Sequence, residues 1–174
     1  ICVCYLENVS YDDIHRLLHT FSNAKRRFKE HKFGDVITID DYAHHPTEIS
    51  VTISSARQKY PNKEIVAVFL PNTYSRTSAL KDDFIKALSL ADKAYVMDIH
   101  CDREKKEDYP PISSDDIIKQ INNAEKIDIN SADKLLKHKN AAICFMSCTN
   151  IYEILKEFAM KLPVNELERL MNHR

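Results

Sequence analysis

The chain has 174 residues, of which 44% are hydrophobic and 29% charged, enough for one folded domain with its own core and too apolar for a disordered segment. Its 25 basic residues against 26 acidic ones leave a formal net charge of −1, which excludes a global basic field for nucleic acid and an acidic tail for a charge-driven partner. No charged and then apolar leader is present, and no apolar run approaches the roughly 20 residues of a membrane helix, so a soluble, cytoplasmic protein that does not touch membranes is expected.

The first residue is Ile1, and 1–6 (Ile-Cys-Val-Cys-Tyr-Leu) reads like the tail of a buried element, as if the chain were a piece of a longer protein. Ser10 stands as an N-cap before Asp12 and Asp13, and Ile14, Leu17, Leu18 and Phe21 follow at helical spacing. After Lys25-Arg26-Arg27-Phe28, residues 29–33 and 35–39 flank Gly34 as a hairpin or two successive strands. Pro46 suits a first helical turn, and Ile49, Ile53, Ala56 and Tyr60 carry the helix to Pro61. A strand over 64–70, a helix over 77–90 with Leu80, Phe84, Ala87 and Leu88 on one face, and a strand over 93–99 come next.

Residues 100–111 are polar and aperiodic, an exposed loop. Ser113 to Asp116 cap a helix over 117–121, residues 127–129 suggest a short strand, Ser131 opens a further helix, and 141–146 form the last strand. Helices over 150–162 and 164–172 are separated by Pro163. The alternation predicts one α/β domain of βαβ units around a parallel core sheet, with no internal repeat. Gly34 is the only glycine, so Asn62, Asn122, Asn123 and Asn140 are expected to carry turns. The five cysteines, Cys2, Cys4, Cys101, Cys144 and Cys148, form no doubled C-x-x-C arrangement and are expected to be buried, reduced thiols.

Polar groups concentrate where strands end. Asp40-Asp41-Tyr42-Ala43-His44-His45-Pro46-Thr47-Glu48 follows one strand, and Pro71-Asn72-Thr73-Tyr74-Ser75-Arg76-Thr77 follows another. Two such ends side by side in a parallel sheet would form one site. Each group also has a plainer reading: Asp40 and Asp41 as turn or cap residues, His45 as the residue held extended before a proline, Lys25-Arg26-Arg27 as a solvated helix end, and Ser75 or Thr77 as an N-cap with Arg76 in solvent. Arg76 beside helix N–H groups is also suited to a carboxylate. Asp41, His44 and His45 have no evident fourth ligand, so no metal is expected on this chain alone. One glycine cannot build a phosphate loop, and no nucleophile elbow or Cys–His pair is recognisable.

The segments Lys25-Arg26-Arg27-Phe28, Ile39 through Ile49, Ala67 through Pro71 and Tyr74-Ser75-Arg76-Thr77 resemble the C-terminal domain of the Mur ligases, most of all the branch that joins L-alanine to UDP-N-acetylmuramate, over about residues 10–159. The resemblance implies a Rossmann-like three-layer α/β fold, with a mostly parallel sheet and helices on both faces. It implies that residues 1–174 are a single amino-acid-binding lid domain, accompanied elsewhere by an N-terminal UDP-substrate domain and a central ATPase domain. The activity implied is an ATP-dependent, amide-forming step of cytoplasmic peptidoglycan synthesis, hence of cell-wall growth, shape and division. It runs through an acyl phosphate with ATP and Mg2+ held mainly by the central domain, and the isolated domain is expected to be inactive. Residue by residue, it gives Arg27 and Asp41 to the nucleotide, and Tyr42, His44, His45, Asn72 and Arg76 to the amino-acid and muramoyl carboxylate end, with no particular role for His45. Three departures stand out: Asn72 where the family commonly has His, Ser147-Cys148-Thr149-Asn150 in place of a Gly-Ala-Gly-Asp turn, and a 100–111 loop that keeps only Arg103-Glu104 of a Gly-Ser-x-Arg-Glu pattern. The alternatives are a murein tripeptide recycling ligase and a degenerate domain that binds without turnover.

Overall fold

The computed structural model describes Cys4 and residues 6–18, 25–101 and 103–162. The expected positions of Phe21 and of a helix over 164–172 lie outside these residues. Helix α1 (Tyr11–Leu18) is capped by Ser10, whose Oγ accepts from the Asp13 N–H at 3.1 Å, and none of its residues is buried. Strands β1 (Lys29–Phe33) and β2 (Val36–Asp41) form the expected hairpin, with Phe33 opposite Val36 and Gly34 turning the chain at φ 58°. Helix α2 (Pro46–Lys59) buries Ile49, Ile53 and Ala56 and leads to β3 (Glu64–Phe69).

The single helix expected over 77–90 is two: α3 (Tyr74–Ala79) and α4 (Lys81–Leu88), broken where Leu80 adopts φ −114°, ψ 20°. The start of α3 is held by Glu104 of the loop after β4, whereas Phe84, Ala87 and Leu88 of α4 are buried against the sheet face. Strand β4 (Lys93–Val96) is followed by a short 3-10 turn at Lys106–Asp108 and by α5 (Ser114–Ile118), which Ser113 and Asp116 cap reciprocally. The short strand is β5 (Ala124–Lys126), earlier than the expected 127–129, because the Asp128 carboxylate accepts from the Ser131 N–H and starts a 3-10 helix at Ile129–Lys137. Asp128, not Ser131, therefore opens that element. Strand β6 (Ala141–Met146) and helix α6 (Tyr152–Met160) complete the fold.

The sheet order is β1-β2-β6-β3-β4-β5, with β1 antiparallel and every other pairing parallel. One face packs Ile37, Ile39, Ile65 and Phe69 against α2, α4 and α5; the other packs Val66, Val68, Ile143 and Phe145 against α6 and the 129–137 segment. The architecture is the expected three layers. Full burial of each large aliphatic side chain in these faces contributes about 1.5–3 kcal/mol.

The asparagines act differently from expectation. Positive φ among described non-glycine residues falls at Asn8, Arg26, Phe28 and Thr73, while Asn140 and Asn123 support turns through side-chain amides, as in Asn140 Nδ2 to the Asn62 carbonyl at 3.1 Å. Of the described cysteines only Cys144 is buried; Cys4, Cys101 and Cys148 are half-buried, and all four are free thiols. No helix is long and apolar enough to cross a membrane among the described residues.

Candidate functional site

The two polar strand ends are not neighbours, because β6 runs between β2 and β3. Asp41, Met146 and Phe69 stand level across the three strands, and the chain leaves all three ends into one cleft of about 390 Å³. Tyr42 and His44 line it from the β2 end, Asn72, Thr73 and Arg76 from the β3 end, and Cys148 and Thr149 from the β6 end. Arg103 reaches it from the loop beyond β4. The site thus has a third strand end and a loop that the two histidine- and arginine-bearing motifs did not disclose.

Arg26 joins these strand ends. Its Nε lies 3.2 Å from Asp40 Oδ1, Nη1 donates to the Thr149 carbonyl at 3.0 Å, Nη2 donates to the Ser147 carbonyl at 2.7 Å, and its own carbonyl accepts from the Tyr42 N–H at 2.8 Å. It makes these bonds from a left-handed backbone at φ 56°, a conformation that costs a non-glycine residue about 1 kcal/mol or more. Arg27, in contrast, is exposed, its guanidinium 5.2 Å from the centroid of the Tyr42 ring. Adjacent residues of one cationic run therefore divide into a latch and a free charge.

Asp41 is buried, and its two carboxylate oxygens accept from the Phe28 and Ala43 N–H groups, each at 2.9 Å. Burial raises its carboxyl above the ordinary value, against the lowering effect of those two amides. The Asp41 carbonyl also accepts from the Ser147 N–H at 3.2 Å, so this residue fixes the β2 end to the β6 end as well as to Phe28.

His44 Nδ1 lies 2.9 Å from the Tyr42 carbonyl and 3.3 Å from Glu48 Oε2. Since both partners are acceptors, Nδ1 carries a proton and donates toward them. Burial of Glu48 is outweighed by the His44 and His45 N–H groups it accepts, at 2.9 and 3.1 Å, so its carboxyl lies below the ordinary value. His45 caps α2: its Nδ1 accepts from the Thr47 N–H at 3.3 Å while Glu48 reaches back to its N–H, the reciprocal arrangement of a capping box. It is exposed and does not line the cleft. The plainer reading of His45 is the one its contacts support.

At the β3 end, Thr73 sits at φ 70°, an unusual conformation for a β-branched residue, and places Arg76 in the first turn of α3. Among the described residues, Arg76 Nη1 is the buried side-chain polar atom with no hydrogen-bond partner. Neither Ser75 nor Thr77 caps α3. Glu104 does so from the neighbouring loop, accepting from the Ser75 N–H at 3.0 Å and from Ser75 Oγ. The helix N-terminus is therefore already occupied by a carboxylate, and any further anion must be met by the guanidinium. Asn72 is held by a parallel bridge to His100, with the Thr73 N–H donating to the His100 carbonyl at 3.0 Å.

The turn after β6 contains no left-handed residue. Ser147 Oγ donates to the Leu70 carbonyl at 2.9 Å and accepts from the Thr149 N–H at 3.1 Å, doing with a hydroxyl what a glycine-rich turn does with backbone freedom. Among the described residues no group of three or more His, Cys, Asp or Glu is placed to hold a metal ion. Five residues were not singled out for this place by sequence: Arg26, Thr73, Arg103, Cys148 and Thr149. The available signal was the end of the 141–146 strand, since a parallel sheet brings every strand's carboxyl end to one edge.

Residues 26–146 match the Mur ligase, glutamate ligase domain family. The UDP-N-acetylmuramate–L-alanine ligases of Lactobacillus johnsonii and Lactobacillus gasseri are 51% and 50% identical to this chain over 152 residues, covering 87% of it and 34% of each relative. The chain thus spans about a third of the length of the curated relatives it matches. Among solved structures, the UDP-N-acetylmuramate-alanine ligase of Thermotoga maritima aligns with a TM-score of 0.69 at 22% identity, covering 100% of this chain and 36% of that one. A murein peptide ligase of Psychrobacter arcticus aligns with 0.66 at 21% identity, covering 84% and 32%. A MurF ligase of Thermotoga maritima in complex with ADP aligns with 0.64 at 16% identity, covering 92% and 36%. At these identities the solved structures establish the fold alone.

Proposed function

The chain belongs to the Mur ligase family, with residues 26–146 as its glutamate ligase domain, and from that premise we propose that it is the C-terminal, amino-acid-binding domain of a ligase joining L-alanine to UDP-N-acetylmuramate. The observation that carries this reading is the cationic cleft at the ends of β2, β6 and β3, with one Arg76 nitrogen buried and unpaired. An unmatched buried donor on a charged group costs several kcal/mol unless an acceptor arrives, and a carboxylate supplies one. The name shared by relatives at about half identity directs the choice of substrate.

In this reading the muramoyl carboxylate takes the γ-phosphoryl group of ATP, releasing ADP. The α-amine of L-alanine then attacks the acyl carbon, phosphate leaves, and an amide forms as the nitrogen loses a proton. The nucleotide and Mg2+ would be held mainly by a central domain, since the described residues offer no metal-ligand cluster. This chain contributes binding and closure: Arg76 takes the amino acid's carboxylate, His44 Nε2 and the Tyr42 hydroxyl face the incoming amine and the muramoyl carboxylate, and Asn72 donates where the family commonly has His. Arg27, exposed at the rim on Tyr42, would reach the phosphates, and Asp41 would meet the nucleotide near its ribose. Closing the cleft over the acyl phosphate would exclude water. The step would belong to peptidoglycan synthesis in the cytoplasm, and N-terminal and central domains of the same enzyme would be its partners.

The murein tripeptide reading uses the same cleft for a bulkier substrate, which would need a more open pocket around Asn72 to Arg76. The degenerate-module reading rests on the lost glycines and on Asn72; the 147–150 turn forms without glycine, and Asn72 in place of His remains its support. Arg76→Ala in the full-length enzyme tests the assignment. The KM for L-alanine should rise by about 10-fold or more with the KM for ATP little changed, as loss of a charged hydrogen bond requires. If neither constant moves, Arg76 does not bind substrate and the site is misplaced.

A further inference from the structure

We infer that Arg103 is the second carboxylate-binding residue of the amino-acid subsite, acting beside Arg76; the inference rests on the ligase reading above. Three observations lead to it.

First, Arg103 lines the same cleft as Arg76, and no Asp or Glu lines it with them. The carboxylates adjacent to these cations are already engaged, Glu104 by the Ser75 amide and hydroxyl and Glu48 by the amides of His44 and His45. Second, Arg103 is fixed relative to Arg76 although it lies in a loop. Its neighbour Glu104 is bonded to the first turn of α3, and the Glu104 N–H also donates to Cys101 Sγ at 3.3 Å. The two guanidiniums are thus borne by one joined unit. Third, the geometry leaves the helix no role in meeting the anion, since Glu104 occupies the α3 N-terminus. An incoming carboxylate must therefore be met by side chains: one planar fork can take both of its oxygens, and a second fork beside it meets the lone pairs the first leaves open.

Glu104 accordingly acts as a positioning residue, holding Arg103 against α3, and Arg103 as a binding residue. The chemistry recognised is an α-carboxylate.

The test compares L-alanine with L-alaninamide, which lacks the carboxylate charge, as acceptors for the full-length enzyme. For the wild type, kcat/KM should strongly favour L-alanine. Arg103→Ala should shrink that preference by about 10-fold or more through the KM for L-alanine, and Arg103→Lys, which keeps the charge without the fork, should restore part of it. Equal losses on both acceptors would make Arg103 a structural residue and overturn the assignment. A rise in the KM for ATP, with that for L-alanine unmoved, would overturn it in favour of the phosphates. A wild type that turns over neither acceptor would remove the ligase reading and this assignment together, which separates the two failures.

Discussion

Replacing Arg26 by Met keeps the aliphatic stem and removes the guanidinium that ties Asp40 to the Ser147 and Thr149 carbonyls. The side chain is 27% exposed and Asp40 10%, so the bonds are largely but not fully withdrawn from water. Discounted for that exposure, the three hydrogen bonds contribute about 1 kcal/mol each, for a total near 3 kcal/mol. In a domain of this size that corresponds to a fall in melting temperature of about 6–12 °C. Arg27→Ala, which removes an exposed contact with the Tyr42 ring and a positive charge near Asp41 and Glu48, should lower it by less than about 4 °C. Calorimetry of the full-length protein, with hydrogen exchange at the Tyr42 and Ser147 amides, measures both. If Arg26→Met melts within about 2 °C of the wild type, or Arg27→Ala proves the more damaging, the division of the cationic run into latch and free charge is wrong.

Two further outcomes follow from the same contacts. Asp92 feels burial, which acts to raise its carboxyl, but Arg57 and the Ile65 N–H outweigh it and hold the group below its ordinary value of 3.8. Its stabilising contribution is thus complete above that value and is lost as pH falls through the lowered one, so Asp92→Asn should flatten the acid limb of a stability-against-pH curve; an unaltered limb would refute this. Burial pushes the Cys144 thiol up to about 12, so in the native protein at pH 8 iodoacetamide should label Cys148, in the cleft, and spare Cys144 by mass spectrometry. Labelling at Cys144 without unfolding would show that β6 opens more readily than its burial implies.

The fold was legible where local signals agree. Alternation of period, Gly34 between two extended runs, and Pro46 after a polar cluster marked β1, β2 and α2 with small errors at their ends. The position of β6 between β2 and β3 was not, because strand order depends on long-range pairing that no local pattern carries. For the same reason the 147–150 turn was expected only close to the site, without Cys148 and Thr149 as lining residues. Arg26 and Arg27 are the same residue type in one run, and only a left-handed backbone at Arg26 separates their roles. The break at Leu80 was hidden because Leu80, Phe84 and Leu88 keep helical spacing across it. Asn62, Asn123 and Asn140 were correctly placed in turns, yet Asn123 and Asn140 serve through side-chain amides instead of positive φ, and Asn62 through its carbonyl.

Phosphate release by the full-length protein, supplied with UDP-N-acetylmuramate and ATP with and without L-alanine, tests the central claim most directly. Release that depends on L-alanine and fails with other amino acids is the predicted result. No release with any amino acid would contradict the ligase account and leave a binding domain with a carboxylate-seeking cleft.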